Sequence, residues 1–240
     1  MRAIICGANG AMGKLICERL NDEVVGKVSI DGENGVPKTF NELGKVEADV
    51  VVDFSHHTAV AEVLANAKAL RCAAVIGTTG HTREEKELIY EAAEQIPVFY
   101  SGNMSLGIAV LCRLSKEAAA CFPDADIEIV ETHHNRKVDA PSGTAWMLFE
   151  AIRQVRPNAK ANCGRAGEGK RTKDEIGISS LRRGNVVGIH EVIITTENQS
   201  LSLRHDAGDR GMLADGAVRA AKFMEGKAPG LYTMNDLLGA

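Results

Sequence analysis

A short apolar run at residues 2–6 breaks at Gly7, and glycine returns at Gly10 and Gly13. From Ala11 onward Met12, Leu15, Ile16 and Leu20 recur at helical spacing, so the segment predicts a buried strand, a glycine turn and a helix. Such a turn bends sharply, approaches a pyrophosphate and seats it on the helix N-terminus. The usual fingerprint is G-x-G-x-x-G; here Asn9 occupies the place of the middle glycine. A glycine motif alone constrains little. Placed between a strand and a helix, it predicts a dinucleotide-binding unit. Gly7, Ala8, Asn9, Gly10, Ala11 and Met12 are therefore the first cofactor-binding candidates.

A second strand is expected at 24–31 and ends in Asp31, 21 residues past Gly10. That is near the ~20 residues at which an acid takes the ribose hydroxyls. Gly32 follows rather than an arginine, so a 2′-phosphate would meet a carboxylate. NADH is expected to be accepted at least as well as NADPH, with Lys27 as the candidate compensating cation. Strands expected at 48–55, 72–80 and 97–105 alternate with helices at 59–70 and 83–96. This order predicts a Rossmann-type, doubly wound parallel sheet. Ligands bind beyond the carboxyl ends of such strands. The loops there add Gly77, Thr78 and Thr79, then Ser101, Gly102, Asn103 and Met104. His56 and His57 read as loop and helix-cap residues with no carboxylate nearby except Asp53. No histidine, cysteine and carboxylate group has metal-ligand spacing, so no metal is expected.

Length and charge narrow the classes. The 240 residues suit two small domains. A net charge of −4 without a block of like charge argues against a nucleic-acid binder built on phosphate contacts. No apolar run reaches the ~18–20 residues of a membrane helix, and the first residues lack a signal-peptide pattern. Six cysteines without a Cys-x-x-Cys pair predict reduced thiols in a cytoplasmic protein, Cys163 being the exposed one.

The second half predicts a helix at 105–122, a strand at 125–134, a helix at 143–155, a polar mobile loop at 158–175 and about three antiparallel strands within 175–207. A last helix at 212–226 carries an apolar face (Met212, Leu213, Val218, Phe223) and should return to the first domain. The expected division is thus a dinucleotide-binding domain of 1–104 and 213–240. Residues 105–212 form a substrate-binding and oligomerisation domain, an α+β unit with a mixed or antiparallel sheet.

The run ETHHNRKVDAPSGT at 131–144 packs two histidines, a lysine and a Pro-Ser-Gly-Thr turn into fourteen residues. With GANGAMG, GTTG, SGNMSLG and EIGISSLRRGNVVGIHEV, it resembles the signature of the dihydrodipicolinate reductases, and the likeness covers almost the whole chain. The resemblance implies NADH- and/or NADPH-dependent reduction in the diaminopimelate and lysine pathway. The substrate it implies is a ring dicarboxylate with a carbon–nitrogen double bond, described as a hydroxylated tetrahydrodipicolinate that loses water. By motif position it implies His133 as the acid–base residue and Lys137 as a proton donor. His134, Gly143 and Thr144 are implied to bind substrate. It also implies a homotetramer built through the second domain's sheet.

The residue types suit these roles. Histidine titrates near neutrality and can give and recover a proton. Lysine offers a cation to a carboxylate and a proton to a leaving group. The amides of Ser142, Gly143 and Thr144 open a helix and can seat an anion, with Ser142 as cap and Pro141 before it. Such a run in an arbitrary loop is a solvated surface; the anion seat and the nucleotide-binding half weigh against that reading. Ser179 and Ile189 depart from the family, which often has histidine and an acid there. Two alternatives stand beside the reductase: a nucleotide-sensing regulator, and a reductase of another cyclic imine.

Overall fold

The computed structural model describes residues 1–239. They form two compact units, Met1–Leu106 with the segment from Gly211 onward, and Gly107–Arg210.

The first unit opens with β1 (Ala3–Cys6), α1 (Ala11–Leu20), β2 (Val24–Val28), α2 (Phe40–Leu43), β3 (Val50–Asp53), α3 (Val60–Leu70), β4 (Ala73–Ile76), α4 (Arg83–Ala93) and β5 (Pro97–Tyr100). The strands are shorter than the apolar runs suggested, because each run continues into a polar loop. β1, β3 and β4 are buried along their whole length, as strands covered on both faces must be. The chain returns after residue 210 as α7 (Gly211–Phe223), β11 (Gly230–Tyr232) and α8 (Met234–Leu237). Strand order is β11-β5-β4-β3-β1-β2, all parallel. The order reverses at β1, which places the ligand crevice beyond the carboxyl ends of β1 and β3.

The core on one side gathers Ile4, Val51, Ala74, Ile76 and Val98 with Val63, Leu64, Ala67 and Ile89 of α3 and α4. Helix α4 starts in a reciprocal cap between Thr82 and Glu85. Helix α7 packs on α1, β3 and β4. Its buried stripe is Ala214, Gly216, Ala217, Ala220 and Ala221. The larger residues expected to be covered, Met212, Leu213, Val218 and Phe223, are only half-buried. Close approach explains the choice: a Cβ on Gly216 would collide with the Met104 carbonyl.

The second unit holds α5 (Leu106–Cys121, whose first residue belongs to the other unit), β6 (Asp126–His133), α6 (Gly143–Arg153), β7 (Lys160–Cys163), β8 (Glu175–Arg182), β9 (Gly188–Thr195) and β10 (Ser200–Ala207). Its sheet order is β10-β9-β6-β8-β7. The sheet is mixed. β9 pairs antiparallel with β10 and β6, whereas β8 pairs parallel with β6 and β7. The expectation of three antiparallel strands within 175–207 is therefore corrected for β8. Helix α6 carries the chain back across the sheet before β8 begins, and a crossover produces a parallel pair. The stretch 158–175 is not all loop either: it contains β7, and Arg171 donates to Asp126 Oδ1 (2.8 Å) and to the Ile127 carbonyl (2.8 Å). One sheet face, with Ile127, Ile129, Ile176, Ile178, Val192 and Ile194, packs on Ile108, Leu111, Leu148, Phe149 and Ile152 of the two helices.

No helix among the described residues is long and apolar enough to cross a membrane. The six cysteines are free, and Cys121 is exposed as well as Cys163.

Candidate active site

In the first unit a cavity of about 440 Å³ lies at the carboxyl ends of the strands, lined by Met12, Phe54, Thr78, Thr79, Asn103 and Met104 among others. A larger hollow of about 880 Å³ opens at the opposite strand ends, beside Arg2, Cys72 and Pro97, and contains none of the candidate residues.

The glycine turn is shaped by steric necessity. Gly7 has φ +76°, and a Cβ there would collide with the Phe54 carbonyl. A Cβ on Gly13 would collide with the Gly7 carbonyl, so α1 can approach β1 only with glycine there. The Gly7 and Ala8 amides donate to the Val28 carbonyl at 2.8 and 3.2 Å. Gly10 is the N-cap of α1, which Ala11 and Met12 begin. Asn9 reaches across to the segment after β2, where its side-chain amide donates to Asp31 Oδ1 (2.6 Å) and to the Glu33 carbonyl (3.0 Å). The Asn9 hydrogen bond, with one from the Glu33 amide, holds the Asp31 carboxyl below its usual range. Asp31 lies three residues past β2 rather than within it.

Thr78 donates to the buried carboxylate of Asp53 at 2.7 Å, and Ser55 shares that carboxylate. Burial pushes the Asp53 carboxyl up, partly offset by Ser55 and Thr78. Gly77 lies against the Phe54 ring, with no room for a side chain. Ser101 donates to the Asn103 carbonyl (2.8 Å), and the Asn103 side chain accepts from the Ser105 amide (2.8 Å), which shapes the turn carrying Gly102. A Cβ on Gly102 would touch only Thr79 Cγ2 at 3.9 Å. Tight glycines below, an open cavity above and a fixed carboxylate three residues past β2 fit a dinucleotide.

Lys14 acts on the Asp31 carboxyl, and the Lys38 stem lies over Gly32. One reading, that of His57, changes. His57 has a carboxylate partner in Glu85, 2.8 Å from its Nδ1. His56 caps the turn after β3, accepting from the Thr58 amide.

The second unit carries the histidine run. In β6 the residues Ile127, Ile129, Glu131 and His133 share one face by strand alternation. The apolar pair is core; the polar pair continues the same face to where α6 begins. Register then sets the neighbours: Glu131 lies opposite Ser180 and His190, and His133 opposite Arg182. Glu131 is fully buried. Its Oε2 meets His133 Nδ1 at 2.6 Å and Arg182 at 2.8 Å, and its Oε1 accepts from Arg182 (2.7 Å) and the Ser142 amide (3.1 Å). Burial alone would push the Glu131 carboxyl up; hydrogen bonds from Arg182, Ser180 and His133 outweigh it and bring it down to about 2. His190 stands edge-on to His133 with ring centroids 5.1 Å apart. Burial, reinforced by His133, pushes its imidazole down to about 4. Sequence reading missed Glu131, Arg182 and His190; the Glu-x-His spacing in a strand was the available signal for the first.

The run 134–144 leaves this frame as a pinned loop. The Lys137 amide donates to the His134 carbonyl (3.2 Å), and the Asn135 amide to the Gly184 carbonyl (3.1 Å). His134 Nδ1 is buried without a hydrogen-bond partner; burial and then nearby cations, Arg136 and Arg210 first, hold that imidazole below its usual range. The Lys137 ammonium pairs with Asp139 at 2.8 Å. Ser142 caps α6 as expected, but its amide is engaged elsewhere. Its hydroxyl caps α6 by accepting from the Ala145 amide and contacts His190 Nε2 at 3.1 Å, while its amide serves Glu131. The amide available to an anion is therefore that of Gly143, where a Cβ would meet nothing within 4 Å, with Thr144 the next residue of the turn. Ile189 pairs with Thr132 and Ser179 with Val130, so by alternation both departures face the side of the sheet opposite Glu131 and His133. Among the described residues no group of three or more histidine, cysteine or carboxylate side chains could hold a metal ion.

The chain matches two family models, dihydrodipicolinate reductase, N-terminus, over residues 1–104 and dihydrodipicolinate reductase, C-terminus, over residues 107–238. It is 44% identical to a 4-hydroxy-tetrahydrodipicolinate reductase of Caldanaerobacter subterraneus subsp. tengcongensis, covering 99% of this chain and 98% of that one. A protein of the same name from Alkaliphilus oremlandii is 43% identical, covering 99% and 98%. Among solved structures, the dipicolinate-bound dihydrodipicolinate reductase from Paenisporosarcina sp. TG-14 superposes with a TM-score of 0.81 at 25% identity over 98% of each chain. An amine dehydrogenase from Mycobacterium smegmatis shares the fold, with a TM-score of 0.64 at 14% identity over 98% of this chain and 95% of that one.

Proposed function

The chain belongs to the dihydrodipicolinate reductase family, and we propose that it reduces 4-hydroxy-tetrahydrodipicolinate with a nicotinamide dinucleotide in diaminopimelate and lysine biosynthesis, using His133 and Lys137 for proton transfer. The observation that carries this reading is the Glu131–His133 contact beside the open amide of Gly143 at the start of α6. A proton-handling group and an anion seat meet on one rigid sheet end.

When bound, the dinucleotide would supply hydride to the ring carbon from which the hydroxyl leaves as water, so that the carbon–nitrogen double bond is kept in the product. The residues that would hold it are the Gly7–Met12 turn for the pyrophosphate, Asp31 for the ribose hydroxyls, and the loops Gly77–Thr79 and Ser101–Met104 beneath the rest. His133 exchanges the proton that completes reduction. Lys137 must give up Asp139 to face a substrate carboxylate, or to protonate the departing hydroxyl as it leaves as water. The Gly143 amide receives a carboxylate, joined by Thr144, and the unpartnered Nδ1 of His134 adds a polar contact. The first unit is the dinucleotide-binding domain in this reading and the second binds substrate, so catalysis draws on both.

The Asp31 carboxylate, held by Asn9, supports use of NADH at least as well as NADPH. The sheet face of the second unit that bears Val130, Leu181 and Ile193 supports assembly into a homotetramer, and six free thiols support a cytoplasmic setting. The test is oxidation of NADH, followed by absorbance, with substrate generated enzymatically. Turnover that requires this substrate supports the reading; NADH binding without turnover favours a nucleotide-sensing protein.

A further inference from the structure

We infer that Glu131, held ionised by Arg182, is the positioning residue of this site: it fixes the tautomer of His133 and ties the proton-handling atom to the anion seat of α6. This rests on the reductase reading above.

One buried carboxylate collects all of the partners involved. His133 Nδ1, two guanidinium nitrogens of Arg182 and the Ser142 amide all point at it. An ionised carboxylate only accepts, and every other member of the set is a donor. The proton between Glu131 and His133 therefore sits on Nδ1. In the neutral imidazole that leaves Nε2 bare, so Nε2 is the atom that takes and returns the catalytic proton. In free neutral histidine either nitrogen can carry the proton; here the neighbour decides.

Two further contacts show what this does. A Cβ added to Gly188 would stand 3.1 Å from His133 Nε2. Backbone without a side chain thus lies beside the working nitrogen, on β9. The two oxygens of Glu131 also divide their labour: Oε2 holds His133, while Oε1 holds the Ser142 amide one residue before Gly143. A single rigid group spans from the proton carrier to the helix turn that receives the carboxylate. Arg182 adds a brace, since it donates to the Asp139 carbonyl at 2.5 Å, within the loop that carries Lys137. A carboxylate that only stabilised the fold would not need to join the histidine, the anion seat and the lysine loop.

The test starts on the unaltered protein. With histidine labelled in nitrogen-15 and the His133 signal identified by its loss in His133→Gln, the neutral ring should carry its proton on Nδ1. A neutral His133 protonated on Nε2 overturns the proposal whatever the enzyme's activity, so its failure is separable from that of the reductase reading. Glu131→Gln places an amide NH₂ among donors. It should lower kcat about 10²-fold, within the ~10²–10⁴ that the acid–base group itself supplies. KM should rise because the Ser142 tether is lost, and NADH binding by calorimetry should stay unchanged. Glu131→Asp keeps the charge and should restore part of kcat. Unchanged kcat in folded Glu131→Gln overturns the inference. So does a Glu131→Asp variant that is folded yet no better than Glu131→Gln.

Discussion

At the residue scale, charge state and contact decide role. His190 is buried and neutral, its imidazole held near 4, whereas an unfolded histidine titrates near 6.5. The folded form resists protonation, so stability falls as pH drops from about 6.5 toward 4, by on the order of 3 kcal/mol in full. Glu131 acts lower: its folded value near 2 lies below the ordinary carboxyl range, so its contribution is complete above about pH 4.5 and is lost as pH falls toward 2. Denaturant unfolding across pH should show both windows, and His190→Asn should flatten the upper one alone. An upper window unchanged in His190→Asn would contradict this. Gly143→Ala should leave stability within about 0.5 kcal/mol, because nothing lies within 4 Å of the added methyl, yet raise KM by crowding the anion seat. A KM equal to wild type would mean that the carboxylate binds elsewhere.

At the element scale, what a glycine faces separates two substitutions that look alike in sequence. Gly13→Ala forces a methyl into the Gly7 carbonyl, so it should cost ~1–3 kcal/mol as overpacking does, and weaken NADH binding as α1 moves off β1. Equal stability for Gly13→Ala and wild type would contradict the packing described. Much of this scale was legible in the sequence. The four-residue strands AIIC, VVVD and AAVI announce burial by composition, and alternation with amphipathic helices announces parallel pairing. β11 was not legible: its three residues, Gly-Leu-Tyr, have no period to read and owe their pairing to β5. β8 misled because strand alternation is blind to direction; only the crossover through α6 makes it parallel. The site divides in the same way. His133, His134 and Lys137 stand out as a run, whereas Arg182 and His190 reach Glu131 only through the register of three strands, which no local pattern encodes.

At the scale of the whole molecule, cofactor choice and assembly come into question. Asp31→Ala should weaken NADH more than NADPH in calorimetric titration if the carboxylate takes the ribose 2′-hydroxyl as proposed, since NADPH carries a phosphate there. NADPH binding to wild type more than tenfold tighter than NADH, about 1.4 kcal/mol, would contradict the preference drawn from Asp31. A homotetramer should sediment near four times the 25.7 kDa chain mass, and Ile193→Asp, on the sheet face away from the helices, should shift it to smaller species; a monomeric wild type would remove the assembly.

Everything proposed for the site turns on His133 as the group that handles the proton when this chain reduces its substrate. The decisive comparison is the turnover of His133→Gln beside wild type, with 4-hydroxy-tetrahydrodipicolinate generated enzymatically and NADH affinity measured on the same preparations. A fall in kcat of ~10²–10⁴-fold at unchanged NADH affinity is expected. Turnover of His133→Gln equal to that of wild type would refute the assignment.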